Sequence, residues 1–134
     1  MDEEITPLDF AKYRLQRAKE DLEAAQLLYS NNSLLAANNR AYYSIFRAIR
    51  AVLALERVDF KRHKDVIGYF NHHYIKPEIF PRTISRKITQ AQRIREDSDY
   101  DDEYKPSHEK TEQQINTAKE LIQLVEQYIR EYSK

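Results

Sequence analysis

Apolar residues recur at intervals of three and four along most of the chain, which is the spacing of one face of an α-helix. The first stripe follows Thr6-Pro7, a pair typical of a helix start with an N-cap residue and a first-turn proline. Its members are Leu8, Ala11, Leu15, Ala18, Leu22, Ala25 and Tyr29. The polar stretch 30–33 interrupts the pattern, so we predict that the first helix ends there and that Ser33 caps the second.

The second stripe lies on a helix that is apolar on more than one side. One face carries Tyr42, Ile45, Phe46, Ile49, Val52 and Leu53, and the other faces are rich in alanine (Ala36, Ala37, Ala41, Ala48, Ala51 and Ala54). A helix with apolar residues on several faces is expected to be surrounded by neighbours. We therefore predict that this is the central helix of the fold.

Three further helices are predicted in the second half of the chain. Residues 59–76 contain a short helix with Val66, Ile67 and Phe70 facing inward, followed by a turn punctuated by Pro77 and Pro81. A fourth helix is predicted from about 81 to 97, with Ile84, Ile88 and Ala91 as its stripe. The last helix follows Ser107 and has a near-heptad stripe of Ile115, Ala118, Ile122, Val125, Ile129 and Tyr132.

Composition supports an all-α fold. The chain has 134 residues, a length that suits one domain, but only one glycine and four prolines, too little turn chemistry for a multi-stranded β-protein. We predict one domain over residues 1–134, an up-and-down bundle of four or five helices in which the first and last helices form a long pair.

Several classes of protein are excluded or disfavoured by what the sequence lacks. There is no cysteine, so disulfide scaffolds and thiolate sites are excluded. The acidic start does not resemble a signal peptide, and no apolar run approaches the roughly 20 residues of a membrane span. The four histidines show no metal-binding spacing. We predict a cytoplasmic protein without a membrane segment, metal or cofactor.

The formal net charge is zero, but the charges are segregated along the chain. Residues 33–57 hold one acid against four arginines, and residues 82–95 hold five basic residues and no acid. Arg40, Arg47 and, less closely, Arg50 fall on one side of the second helix, opposite its apolar stripe. This side is either a solvated face or a groove in which guanidinium groups hold phosphates and a tyrosine stacks on a base. Tyr42 and Tyr43 are the candidate stacking residues, and the spacing of Tyr42 favours a place in the core.

Arg95 occupies a position where the pattern of the fourth helix calls for an apolar residue, one turn beyond Ala91. An arginine on such a face must reach solvent, pair with an acid, or line a functional cleft. The sequence leaves two interpretations open. Arg95 either closes the helix end by pairing with Asp99, or it faces a cleft.

Three stretches together resemble a known family. They are "NNRAYYSIFRAIRAVLALE" (38–56), "FKRHKDVIGYF" (60–70) and "RIREDSDYDDEY" (93–104). In this order they resemble the HEPN domain family (higher eukaryotes and prokaryotes nucleotide-binding), and within it a small stand-alone prokaryotic branch with an RxxxDYDDxY segment.

The resemblance implies a helical bundle that forms a homodimer with a polar cleft near its interface. Many members of the family are metal-independent ribonucleases with an Arg, four to six spacer residues and a His. Many are encoded beside a small nucleotidyltransferase and act as the toxin of a toxin–antitoxin pair, and in some pairs the partner adenylylates a tyrosine just beyond the His.

Carried over residue by residue, the resemblance places the catalytic arginine at Arg95 and Tyr100 at the position of the histidine. The modified tyrosine is replaced by Asp102, with Tyr104 the nearest alternative. Tyrosine, with an ordinary pKa of about 10, is a poor general base near neutral pH. His63, the only histidine inside a matched stretch, either enters the cleft from another helix or is a turn or surface residue.

The acidic residues that follow Arg95 also have two interpretations. Asp99, Asp101 and Asp102 either lie at a cleft where arginines neutralise them, or pair with Arg40 or Arg47 and serve the fold alone.

We therefore predict a HEPN-like module that binds nucleotide or RNA, the toxin-like or regulatory half of a pair with a small nucleotidyltransferase. The candidate catalytic residues are Arg95 and Tyr100. The candidate binding residues are Arg40, Tyr43, Arg47, His63, Asp99 and Tyr104. The alternatives are a metal-independent ribonuclease with a variant Arg-x4-Tyr site and a purely structural dimerisation domain.

Overall fold

Five α-helices make up most of residues 5–134, the part of the chain that the structure, a computed structural model, describes. They are α1 (Pro7–Ser30), α2 (Leu34–Ala54), α3 (His63–Phe70), α4 (Arg82–Tyr100) and α5 (His108–Tyr132), and a π-helical turn (Asn71–Ile75) continues α3. The described residues contain no strand, so the predicted all-α bundle is confirmed. Residues 1–4 of the predicted 1–134 domain lie outside the described part.

The long helices α1 and α5 run antiparallel. Tyr29 near the end of α1 contacts Glu112 near the start of α5, while Lys19 forms an ion pair with Glu126, about four turns further along α5. The start of α1 is fixed by a reciprocal cap, in which Thr6 Oγ1 accepts a hydrogen bond from the backbone N–H of residue 9, and that aspartate accepts one from Thr6 N–H.

The central helix α2 packs on α1, α3, α4 and α5, as its several apolar faces predict. Ala37, Ala41, Ala48, Ala51 and Ala54 are all buried. These small side chains let the neighbouring helices approach closely, and Ser44 Oγ donates a 2.7 Å hydrogen bond to the Ala18 carbonyl of α1. Within the described part of the chain, no helix is both long enough and apolar enough to cross a membrane.

The helix boundaries differ from the prediction at a few positions. The helix α4 continues three residues beyond Asp97, to Tyr100. Ser33 precedes α2, but its side chain makes no capping hydrogen bond. The predicted inward position of Tyr132 is wrong, because its side chain is 53% exposed in the last turn of α5.

Candidate functional site

Arg95 on α4 is held against α2 by side chains from both helices. Its Nη1 donates to Asn39 Oδ1 at 3.3 Å and its Nη2 donates to Tyr43 OH at 3.2 Å. The carboxylate of Asp99, one turn further along α4, forms an ion pair with Nη1 at 2.9 Å. We refer to Arg95, Asn39, Tyr43 and Asp99 as the Arg95 cluster. The arginine side chain remains 24% exposed, so the cluster opens to solvent.

Two guanidinium groups lie near the ring of Tyr43. The Cζ atom of Arg95 is 5.4 Å from the ring centroid and that of Arg47 is 6.0 Å from it. Cations over an aromatic ring are attracted by its negative face. Tyr43 therefore links the Arg95 cluster to the basic side of α2.

That basic side is paired with a buried acid on α1. Arg40 Nη1 lies 3.2 Å from Asp21 Oδ1, and Arg47 forms an ion pair with Asp21 Oδ2. The Asp21 side chain is only 7% exposed. The predicted alternative, in which Asp99, Asp101 or Asp102 pairs with Arg40 or Arg47, is therefore wrong, because α1 supplies the acid.

Two of these three acids make local contacts instead. Asp99 pairs with Arg95, and Asp101 Oδ1 accepts a 2.9 Å hydrogen bond from the backbone N–H of Glu103 in the turn that follows α4. Asp102 is exposed.

His63, the first residue of α3, lies against the aromatic residues Tyr42, Tyr43 and Phe46 of α2. Its ring stacks on Phe46 with a centroid separation of 3.8 Å and is 6.3 Å from the Tyr43 ring centroid. A 3.1 Å hydrogen bond joins His63 Nδ1 and Tyr42 OH. Burial raises the pKa of Tyr42 to about 12, against a smaller effect of Arg95 in the other direction, so this phenol is protonated at neutral pH.

The pKa of His63 is lowered, chiefly by burial and then by the positive charges of Arg95 and Arg50. The charge of Arg95 therefore contributes to the lowered pKa of His63. A histidine with a lowered pKa is a neutral ring near pH 7, able to donate or accept a proton.

The lowered pKa of His63 makes the stability of the fold depend on pH. The unfolded chain, with a histidine pKa of about 6.5, binds this proton more readily than the folded chain, so protonation favours unfolding. The free energy of unfolding is therefore highest above that pH. It decreases as the pH falls through about 6.5 toward the lower pKa that His63 has in the folded chain. We expect the Tm of the wild type to fall more than that of His63→Asn between about pH 7.5 and pH 5.5, as measured by circular dichroism.

The matched control for this prediction is His72→Asn, which removes an exposed histidine. It should keep the pH dependence of the wild type. Equal slopes of Tm against pH for the wild type and His63→Asn would show that the protonation of His63 does not oppose folding.

The two tyrosines beyond Arg95 lie in different surroundings. Tyr100, the last residue of α4, is 91% exposed, and five positions of helix turn it about 140° away from Arg95. Tyr104 is half-buried, and its hydroxyl is buried with no hydrogen-bond partner among the described residues. The structure thus brings Arg95, Tyr43, Arg47, His63 and Asp99 together, with Arg40 next to Arg47, and leaves Tyr100 outside.

A cavity of about 290 Å³ adjoins the Arg95 cluster. It is lined by Leu28, Ala36, Asn39, Arg40 and Tyr43, which give it an apolar wall and a polar one. Such a combination suits a small polar ligand with a flat apolar part. Within residues 5–134, no three His, Asp or Glu side chains are grouped so that they could hold a metal ion.

Sequence reasoning missed two residues that hold this site together. Asp21 lies three positions after Ala18 and four before Ala25, so its place on the buried stripe of α1 was a readable signal. Asn39 is one turn before Tyr43 on α2, but nothing in the sequence indicated that it faces α4. The roles of Tyr42 and Phe46 as partners of His63 could not be read from spacing either.

The sequence of the chain matches a family of known proteins. A model of the HEPN domain matches residues 11–128. A protein named "Putative toxin" from Methanocaldococcus jannaschii is 29% identical over 117 residues, 87% of this chain and 87% of that protein. A UPF0332 protein from Thermotoga maritima is 26% identical over 123 residues, 92% of this chain and 93% of that protein. Another, from Pyrococcus horikoshii, is 34% identical over 73 residues, 54% of this chain and 51% of that protein.

Proposed function

The chain belongs to the HEPN domain family, and we propose that it is a toxin-like member that binds nucleotide or RNA at the Arg95 cluster. The observation that carries this proposal is a guanidinium group fixed on an aromatic ring at the edge of a cavity. The name of the Methanocaldococcus jannaschii relative supports the toxin-like part.

The contacts of Arg95 suit the capture of a phosphate. Asn39 and Tyr43 hold the guanidinium from the α2 side and thereby reduce the side-chain entropy that binding would remove. On the other side lies Asp99, whose carboxylate is 53% exposed. A phosphate group can replace this carboxylate, because both present oxygen atoms to the same guanidinium donors.

Replacing Arg95 by glutamine is expected to weaken RNA binding at least about tenfold, because charge-assisted hydrogen bonds to phosphate are lost. The matched control is Arg93→Gln, which removes the same charge from an exposed position on the same helix and should change the affinity less than about threefold. The measurement is fluorescence anisotropy with a labelled single-stranded RNA 12-mer, with adenosine monophosphate as a competitor.

A second variant distinguishes phosphate binding by Arg95 from a purely structural role of its ion pair with Asp99. If phosphate and Asp99 compete for Arg95, Asp99→Asn should raise the affinity for the 12-mer. If Arg95→Gln binds RNA like the wild type but unfolds at a lower urea concentration, Arg95 serves the fold and the proposed function is wrong.

Metal-independent RNA cleavage is a second candidate function, and the observation that favours it concerns His63. This neutral ring lies beside Tyr43, the residue that holds Arg95, and could accept a proton from a ribose 2′-hydroxyl. Tyr100, at 91% exposure, is a weaker candidate for that role. Cleavage in the presence of chelator that disappears with both Arg95→Gln and His63→Asn would support this function, and cleavage that persists in both would count against it.

The pairing with a small nucleotidyltransferase and the homodimer are also proposals, and they follow from family membership. If such a partner adenylylates a tyrosine, Tyr100 is the accessible choice, since the Tyr104 hydroxyl is buried. Incubation with a nucleotidyltransferase encoded beside this protein and with ATP tests the first proposal by mass spectrometry. Light scattering tests the second, and a monomer at micromolar concentration would contradict it.

A further inference from the structure

A second surface between α1 and α2 is built only from arginines and aromatic residues. A cavity of about 290 Å³ there is lined by Phe10, Tyr13, Arg14, Arg17, Arg47 and Arg50, which we call the basic–aromatic groove. Neither an aliphatic residue nor an acid is among its lining residues. Guanidinium groups recognise phosphates, and exposed aromatic rings stack on bases.

The two rings of the groove are exposed to solvent. The Phe10 side chain is 44% exposed and that of Tyr13 is 57% exposed, and their spacing of three places them side by side on α1. Arg17 Nη1 donates a 3.3 Å hydrogen bond to Tyr13 OH, and the Arg14 guanidinium lies 5.9 Å from the centroid of the Phe10 ring. Large exposed rings next to fixed cations are suited to stacking on nucleic-acid bases.

The groove keeps a positive charge although its arginines are paired with acids. Asp59 pairs with both Arg14 and Arg50, so one carboxylate faces two guanidinium groups. Asp21 likewise faces both Arg40 and Arg47. Arg17 lies 3.9 Å from Glu20, so the four arginines of the groove face three acids and one positive charge remains uncompensated. The two aspartates also hold their arginines in place.

The groove continues into the Arg95 cluster. Arg47 lines the groove and also lies over the ring of Tyr43, which accepts the hydrogen bond from Arg95. Guanidinium groups and aromatic rings therefore extend from Tyr13 on α1 through Arg47 and Tyr43 on α2 to Arg95 on α4.

We propose that the basic–aromatic groove is a binding site for single-stranded RNA, in which bases stack on Tyr13 and Phe10 and phosphates contact Arg17 and Arg47. A strand bound there would reach the Arg95 cluster, so the module would hold several nucleotides rather than one. The choice of RNA rests on the proposed function, while the groove itself is a separate site.

The test is the double variant Tyr13→Ala/Arg17→Gln, which changes two exposed side chains of the groove. We expect the affinity for a labelled U12 RNA to fall at least about fivefold, because stacking on an aromatic ring and one phosphate contact are lost. The dependence of log K on log salt should also become shallower by about 0.7, the value for one phosphate contact to a single strand. Binding of adenosine monophosphate at the Arg95 cluster should stay unchanged.

The matched control is Tyr132→Ala/Arg82→Gln, which removes the same groups from exposed positions on α5 and α4. It should bind U12 like the wild type. If the groove variant also binds like the wild type while Arg95→Gln does not, the groove is not an RNA site and the proposed function stands. If the groove variant loses U12 while Arg95→Gln binds normally, the groove is correct and the Arg95 site is not.

Sedimentation of the same variants separates RNA from a second copy of the chain. A groove variant that keeps the oligomeric state of the wild type and loses RNA supports the proposal. A wild-type dimer that becomes a monomer in the groove variant, with U12 binding per chain unchanged, would overturn it and identify the groove as an interface between copies.

Discussion

Replacing Phe70 by alanine is expected to lower the free energy of unfolding by about 3–5 kcal/mol, the range for removing a fully buried phenylalanine side chain. The Phe70 side chain is 0% exposed, and its ring centroid lies 5.6 Å from that of Tyr74 and 5.2 Å from that of Phe80. It therefore anchors the end of α3 and the π-helical turn on the core. The helix that presents His63 at its start depends on this anchor.

The control for this prediction is Phe60→Ala, which removes the same side chain at a position that is 38% exposed. Its effect should be no more than about 1 kcal/mol, because less apolar surface leaves the core and a smaller cavity forms. Urea denaturation followed by circular dichroism measures both variants, and the m-value should not change. Similar midpoints for the two variants would show that the Phe70 site refills when its ring is removed.

Replacing Asp21 by alanine is expected to lower the free energy of unfolding by about 2–4 kcal/mol. The substitution leaves Arg40 and Arg47 without the carboxylate that faces both of them. Breaking a fully buried pair costs roughly 3–5 kcal/mol, but Arg40 and Arg47 are 49% and 30% exposed, so water compensates in part. The loss should appear as a lower urea midpoint.

The neighbouring acid offers a matched control. Glu20 is 54% exposed and lies 3.9 Å from Arg17, so Glu20→Ala should change stability by less than about 1 kcal/mol. In an Asp21→Leu background, Arg47→Met should recover part of the loss, because one unpaired charge is removed from the partly buried site. Equal effects of Asp21→Ala and Glu20→Ala would mean that the arginines do not need the buried carboxylate.

The same arginine pairs bear on the proposed RNA binding. With Asp21 removed, Arg47 is free to leave the ring of Tyr43, and the link between the Arg95 cluster and the basic–aromatic groove is weakened. RNA binding by the Asp21 variant therefore reports whether the acid serves mainly to hold the arginines in position.

The helices were predictable because their signals are local. The stripe from Ala11 to Ala25 in α1 and that from Ile115 to Ile129 in α5 follow the helical repeat, and Thr6 and Pro7 mark a start with their own chemistry. Errors arose where the chain ends or turns. Tyr132 continues the stripe of α5, but its side chain in the last turn of that helix is exposed.

The candidate site was predictable only where one residue broke a pattern. Arg95 stood out because it followed Ile88 and Ala91 on an apolar stripe, and its ion pair with Asp99 is a one-turn contact that spacing can indicate. Asn39 gave no such signal. It is a polar residue on a helix with many neighbours, and its contact with α4 spans 56 positions of the chain.

The sequence by itself determined the all-α class, the five helices and the faces they bury, since helical periodicity and capping act over a few residues. Only the tertiary structure decided that Asp21 pairs with Arg40 and Arg47, that His63 stacks on Phe46, and that Tyr100 points into solvent. These contacts depend on the rotation of each helix about its axis and on its register with its neighbours. Both are set by the packing of the whole core, and no short segment of the chain encodes them.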